Sequence, residues 1–355
     1  MDDVVTGAVA ALVARRWPGA TVDALDHLAG DFSARRYLRA RLRGAAPSTI
    51  VVMVLAGSGL PLSSEELCIF PEPLKELPFL DVHRLLRTVG AAVPAIYAHD
   101  LGAGVLLLED GGDAVLWDRV VADPTAAEAR YQRALDALLV LHTRGTASPE
   151  RTSIAFTQRF DDRLYRWELE HFLEWGVERR LGIEGHDARA PFAAGFTALV
   201  DELAALGDAE LVLSHRDYHS WNILMPGDAP LIIDFQDALL APPEYDLASL
   251  FTDRITPRVV TPAMAARLRE YYWRGRGRVE DEAARRRYTL IALQRALKVV
   301  GRLHYIALAK GKPAPLALLP DVLATTRHHL REAALPGLAT AFDALPWPAE
   351  DTAAR

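Results

Sequence analysis

Three side chains in one short stretch have the types and spacing to do chemistry. Asp217 is followed five positions later by Asn222, and Asp234 closes the apolar run Leu231-Ile232-Ile233. A carboxylate can orient and deprotonate an attacking hydroxyl. An amide oxygen and a second carboxylate can hold a hard divalent cation such as Mg²⁺, which prefers oxygen ligands and keeps several waters. Phosphoryl transfer asks little more than this: a positioned acceptor hydroxyl, and oxygen ligands that hold the metal on the nucleotide phosphates. On this reading Asp217 is the catalytic residue, and Asn222 and Asp234 are metal ligands.

The elements around these residues must bring them to one point. The order H-x-D-x-x-x-x-N, then an apolar strand, then Asp, resembles the catalytic loop and metal-binding segment of the protein-kinase fold. Each piece alone is weak, since H-x-D is common and an Asp after a strand is usually a turn residue or a cap. The combination, in this order and this close, carries the resemblance. It implies an α+β, bilobal, protein-kinase-like fold: a small β-rich N-lobe over 1–110 that binds nucleotide, and a larger, mainly helical C-lobe over 111–350 that holds the catalytic and substrate residues.

Bulk properties agree. The chain has 355 residues, half of them hydrophobic and a quarter charged, an ordinary globular mixture long enough for two lobes. A net charge of −7 suggests no nucleic-acid partner. Cys68 is the one cysteine, so an internal disulfide or cysteine-rich metal site is excluded. No apolar run approaches a membrane span, and the start Met1-Asp2-Asp3 lacks a signal-like pattern. The expectation is a cytoplasmic monomer without a membrane partner.

In the first lobe, Thr6 to Trp17 has helical periodicity. Leu28 to Ala40 reads as strand, turn and strand, and the turn backbone could cover phosphates. An ordinary hairpin explains the same pattern. Candidate nucleotide contacts here are Ser33, Arg35 and Arg36. Ser48 to Ala56 is a buried strand by its β-branched content. This third strand carries no Lys, and the nearest, Lys75, lies in a Pro-rich loop. Either Arg35 or Arg36 replaces it, or metal and backbone hold the nucleotide. Leu77 to Gly90 reads as a helix, and Ala95 to Tyr97 and Val105 to Leu108 as strands. Leu108 and Glu109, ahead of Gly111-Gly112, are candidate adenine contacts, through backbone rather than carboxylate.

In the second lobe, Pro124 to His142 is a long amphipathic helix. Thr157 to Leu181 mixes charge with aromatics. Phe160, Leu164, Trp167, Phe172 and Trp175 fit a core stripe, whereas Arg163, Glu168 and Glu170 could line a sugar site. Asp246 reads as an N-cap or a loop anchor, and Asp237 could reach the metal or cap a turn. On the strong helix Ile291 to Lys310, Arg295, Lys298 and Arg302 share one face. They could form an anion site, pair with a distant acidic helix, or simply be solvated. Pro320 to Leu335 reads as a closing helix. The candidate substrate contacts are Glu168, His219, Arg295 and Lys298.

A narrower resemblance follows. HRDYHSWNILM with IIDFQDALLAPPEYDLASLF is similar to the aminoglycoside phosphotransferase and choline kinase superfamily. With ELEHFLEW before it, LQRALKVVGRLHYIALAKGK after it, and GDFSARRYLRA near the start, the chain resembles the bacterial N-acetylmuramate/N-acetylglucosamine anomeric kinases of cell-wall recycling. That group also lacks the third-strand Lys. One departure is Val54 to Gly59, where an acidic, proline-bearing segment is expected. The resemblance implies ATP-dependent phosphorylation of the C1 hydroxyl of a free amino sugar to the α-1-phosphate, with Asp217 as base and Asn222 and Asp234 on Mg²⁺. The partners are then a small-molecule sugar and ATP. Two alternatives remain: a kinase of another small hydroxyl compound (an aminoglycoside, a choline-like alcohol or another sugar), and a nucleotide-binding scaffold without turnover.

Overall fold

The computed structural model describes residues 3–28, 35–55, 74–183 and 185–348. The chain divides into two compact units. One comprises Met1–Leu77, Ala92–Asp113 and Leu224–Ile233; the other comprises Pro78–Ala91, Ala114–Ile223 and Asp234–Arg355. Ser33, Gly30, Cys68 and the segment from Ala56 to Gly59 lie outside the described residues.

The first unit begins with helix α1 (Asp3–Arg16) and carries strands β1 (Thr21–His27), β2 (Arg36–Arg43), β3 (Thr49–Val54), β4 (Ile96–Asp100) and β5 (Val105–Glu109). They form one antiparallel sheet in the order β1-β2-β3-β5-β4. Period-two alternation explains its face: Leu38, Ala40 and Leu42 point inward while Arg39, Arg41 and Arg43 point away. The inward row joins Ile50, Val52, Val105 and Leu107, and α1 covers it with Val5, Val9, Leu12 and Val13. β1 runs over Thr21–His27, ahead of the strand expected from Leu28. Its polar alternation hides it in sequence, because as an edge strand it buries no full face.

The second unit is built of helices α2 (Pro78–Thr88), α3 (Leu116–Ala122), α4 (Ala127–Val140), α5 (Asp162–His171), α6 (His186–Ala204), α7 (Glu244–Thr252), α8 (Pro262–Gly275), α9 (Glu282–Ala309), α10 (Leu319–Ala333) and α11 (Leu338–Asp343). A short ladder, β6 (Val212–Ser214) with β9 (Leu239–Ala241), lies among them. The pair β7 (Ile223–Leu224) and β8 (Leu231–Ile232) falls between β6 and β9 in sequence. α9 is capped by Asp281, whose side chain accepts from the Ala284 N–H. It starts nine residues earlier than the apolar periodicity suggests, since its first turns are mostly charged.

The division differs from a single cut at residue 110. α2 belongs with the second unit: Phe79 stacks on Phe235 at 4.9 Å, and Asp81 accepts from Ser153 Oγ at 2.6 Å and from the Ile154 N–H at 2.8 Å. The β7–β8 turn belongs with the first unit, where Ile232 N–H donates to Ala92 O at 2.7 Å. These are long-range contacts with no local sequence signal.

Candidate active site

The loop that follows β6 is fixed from beneath by one carboxylate. Asp246, in the first turn of α7, is fully buried. Its Oδ2 accepts from the His215 N–H at 2.8 Å and its Oδ1 from the Arg216 N–H at 2.9 Å. His142 Nε2 completes the set at 2.9 Å, and His142 Nδ1 meets Tyr272 Oη at 2.5 Å. Burial holds the His142 imidazole below its usual pKa, despite the Asp246 charge. Asp246 is therefore the loop anchor that the sequence reading offered beside a simple cap. Arg216 adopts φ 76°, a costly conformation for a side chain with a Cβ. The Asp246 bond and Ser214 Oγ at 3.1 Å hold its backbone there.

Beyond Arg216 the loop alternates. Tyr218 points inward and donates to Ala134 O at 2.7 Å; Ser220 points inward to Tyr131 Oη at 2.9 Å. Both partners lie on α4, which pins the loop at alternate residues. Asp217, Trp221 and Asn222 are left partly open. The Asp217 side chain keeps 35% of its surface exposed.

Two cations of α9 and one of the loop surround Asp217. Arg295 Nη2 reaches Asp217 Oδ1 at 3.4 Å, and the same guanidinium donates to Arg216 O at 2.8 Å and Ser249 Oγ at 2.9 Å. Burial alone would raise the Asp217 pKa. The charges of Lys298, Arg295 and Arg216 outweigh it and hold the carboxylate far below its usual range. Lys298 and Arg216 are balanced in turn by Glu168 of α5, at 2.6 Å and 3.3 Å. Gln294 Nε2 also donates to Glu168, at 2.6 Å. Glu168 has no exposed surface, so its place is behind Lys298 rather than against a bound molecule, a correction to its expected role as a substrate contact. For Arg295 and Lys298 the solvated-face reading of the α9 stripe is likewise overturned. Arg295 is 4% exposed and Lys298 is held by a carboxylate. The acids come from elsewhere in the chain, as the distant-helix alternative required. His219 is buried too; burial lowers its pKa, and its Nδ1 lacks a hydrogen-bond partner among the described residues.

The expected metal ligands come together. Between them the chain runs out along β7 and back along β8. Asn222 Nδ2 then lies 3.5 Å from Asp234 Oδ2, and donates to Asp217 O at 3.0 Å. Asp234 sits at φ 63°. Gln236 Nε2 donates to Asp234 Oδ1 at 2.9 Å and Asp237 Oδ2 at 3.1 Å, setting the two carboxylates side by side. No group of three or more His, Cys, Asp or Glu side chains converges as a metal site among the described residues. Mg²⁺ takes one or two protein oxygens and fills its octahedron with phosphates and water. The Asn222 nitrogen faces both Asp217 O and Asp234 Oδ2, and an amide oxygen and a carboxylate are the hard donors such a cation takes. The donor set fits.

In the first unit, Arg35 and Arg36 stand at the start of β2, half-buried and exposed respectively. Leu108 is buried on β5 with strands on both sides. The Glu109 N–H donates to Ala95 O at 2.8 Å and its Oε2 accepts from the Ala95 N–H at 2.9 Å. Asp110 and Asp113 clamp Arg39, with bonds of 2.7 to 3.0 Å. The carboxylates after β5 thus serve the sheet.

Sequence reasoning passed over Trp221, Trp117 and Arg254. Trp221, inside the catalytic loop, stacks on Trp117 at 5.1 Å, and Arg254 lies over its ring at 5.0 Å. The signal available was position: Trp221 lies between Asp217 and Asn222 in sequence.

The sequence pattern of the phosphotransferase enzyme family matches residues 24–291. The chain belongs to this family. It is 32% identical over 317 residues to the N-acetylmuramate/N-acetylglucosamine kinase of Pseudomonas putida, covering 87% of this chain and 84% of that protein. With the kinase of the same name from Caulobacter vibrioides it shares 30% identity over 243 residues, 66% of this chain and 65% of that one. Among solved structures it resembles a choline/ethanolamine kinase family protein of Mesorhizobium loti, with TM-score 0.60, 17% identity, and coverage of 95% and 99% of the two chains. A spectinomycin phosphotransferase in complex with ADP and spectinomycin matches with TM-score 0.56 and 14% identity over 95% and 97%. At such identities the likeness establishes the fold, a bilobal kinase-like α+β architecture. The enzyme is a small-molecule kinase.

Proposed function

We propose that this chain transfers the γ-phosphoryl group of ATP to the anomeric hydroxyl of N-acetylmuramate or N-acetylglucosamine, as a cytoplasmic step of peptidoglycan recycling. The observation that carries the reading is the Asp217 carboxylate, open on one side and flanked by Arg295 and Lys298, beside Asn222 and Asp234, whose side chains meet through Nδ2 and Oδ2. The names of the relatives at about 30% identity support the substrate.

Asp217 accepts a hydrogen bond from the C1 hydroxyl and aims its oxygen at phosphorus. As the O–P bond forms and the bond to the ADP oxygen breaks, the hydroxyl proton passes to Asp217. A carboxylate held so acidic is a weak base, so it orients first and takes the proton late, in keeping with a loose transition state. Asn222 and Asp234 would hold Mg²⁺, which neutralises charge on the phosphate oxygens. Arg35 or Arg36 would replace the absent third-strand Lys, or metal and backbone would hold the nucleotide.

Asp217→Asn is expected to keep ATP binding by calorimetry and to lower kcat about 10²- to 10⁴-fold. Wild-type turnover in this variant would remove Asp217 from the mechanism. A panel of N-acetylmuramate, N-acetylglucosamine, glucose, choline and kanamycin, read by phosphorus NMR, tests the substrate. An anomeric phosphate from the first two supports the reading, and turnover on choline or kanamycin alone overturns it.

A further inference from the structure

A second feature of the helical unit meets α9 two helical turns beyond Lys298 and takes no part in the network around Asp217. Trp167 and His171 of α5, and Trp175 of the π-helical turn that continues it (Phe172–Arg179), meet Tyr305 of α9. Trp167 stacks on His171 at 5.6 Å, and Tyr305 stands edge-on to His171 at 5.4 Å and to Trp175 at 5.0 Å. Trp167 and Trp175 are half-buried rather than core, which corrects the sequence reading of both as part of the apolar stripe.

The helices approach closely enough to build this wall because α9 has Gly301 at the crossing. A Cβ there would stand 2.8 Å from Phe172 Cα and 3.0 Å from His171 O. π-turns of this kind occur often at functional sites.

The α9 stripe then continues past the catalytic network. Arg295, Lys298, Arg302 and Tyr305 lie on one helical face. Arg295 pairs with Asp217 and Asp253, and Lys298 with Glu168. Arg302 differs. It is half-buried, its guanidinium lies 5.3 Å from the Tyr305 ring, and among the described residues no carboxylate is in ion-pair range of it. Lys310 approaches the same ring at 5.5 Å, so the wall carries two cations. Arg295, which meets Asp217 at 3.4 Å, lies seven residues before Arg302, about 10 Å of helix rise, so a hexose with its hydroxyl at Asp217 and an acidic arm on its far side spans the gap to the long Arg302 side chain.

We propose that Arg302 and the Trp167/His171/Trp175/Tyr305 wall form a subsite for the carboxylate-bearing side of an acidic amino sugar. The guanidinium pairs with the carboxylate in a charge-assisted fork, and the aromatic faces receive the C–H face of the ring and the acetamido methyl. This deepens the amino-sugar reading and rests on it.

The test is steady-state kinetics of Arg302→Gln and Arg302→Lys on N-acetylmuramate, its methyl ester and N-acetylglucosamine, with circular dichroism to confirm folding. Arg302→Gln is expected to raise KM for N-acetylmuramate roughly tenfold or more while N-acetylglucosamine stays within about twofold. Arg302→Lys should recover part of the loss. The methyl ester should bind wild type and Arg302→Gln alike. Equal losses on all three sugars, or no loss on N-acetylmuramate, would overturn the subsite while leaving the kinase reading intact. A wild-type protein that phosphorylates neither free sugar would overturn both.

Discussion

At the scale of single residues, the reactive group is less informative than what holds it. Asp217 owes its state to cations of α9 and to Arg216, whose backbone is held by Asp246. Replacing Asp246 by Asn removes the charge that faces His142 and the two loop N–H groups. We expect it to cost about 1–3 kcal/mol in urea unfolding and to lower kcat with little change in the KM for ATP. An unaltered kcat would show that the loop holds its shape without the anchor. Asp246 also shows where sequence reasoning is ambiguous. A carboxylate in the first turn of a helix is a cap by default, and here it turns to partners 30 and more positions away in the chain.

Among elements, the crossing of α9 with the end of α5 is the decisive contact. Gly301 and Gly176 both sit against Phe172 or its backbone. Gly301→Ala should force the helices apart or strain Phe172, costing about 1–3 kcal/mol and changing the near-ultraviolet signal of the tryptophans. An equally stable variant with wild-type spectra would mean that the helices do not pack this closely. The same crossing explains why Arg295 and Lys298 looked like surface charges. Helical spacing puts them on one stripe, but it takes α5 to supply Glu168 and the catalytic loop to supply Asp217. The meeting of Asn222 with Asp217 and Asp234 was readable because these residues are close in sequence. β1 was not, because an edge strand with polar alternation looks like loop.

Across the whole chain, buried histidines set the acid stability. Burial lowers the pKa of His142, His219, His304 and His329, the last to about 3. In the unfolded chain each titrates near about 6.5. As pH falls below that value the unfolded state binds protons the folded state refuses, so stability drops, for His329 over the range from about 6.5 to about 3. The depressed carboxylates Asp217 and Asp246 add nothing to this window. Their contribution is present above the unfolded value of about 3.9 and is lost only as pH falls toward their folded values. Urea midpoints should fall between pH 7.5 and 5, and His329→Gln should flatten the fall; a midpoint that rises over that interval would contradict it. No described helix is long and apolar enough to cross a membrane.

The sequence alone determined which candidate groups stand close together. Asp217, Asn222 and Asp234 lie within one short segment, and the loop and strands that join them are local structures whose spacing is set by backbone geometry. It also determined the absence of Lys from the third strand, since strand content is legible from β-branched residues. Only the tertiary structure decided the state and surroundings of those groups. The roles of Glu168, Lys298, Arg302 and the tryptophans depend on which helices meet, and that is settled by packing between segments more than a hundred residues apart, as with Gln294 and Glu168. A charge read in one dimension has no partner; burial and pairing belong to the folded chain.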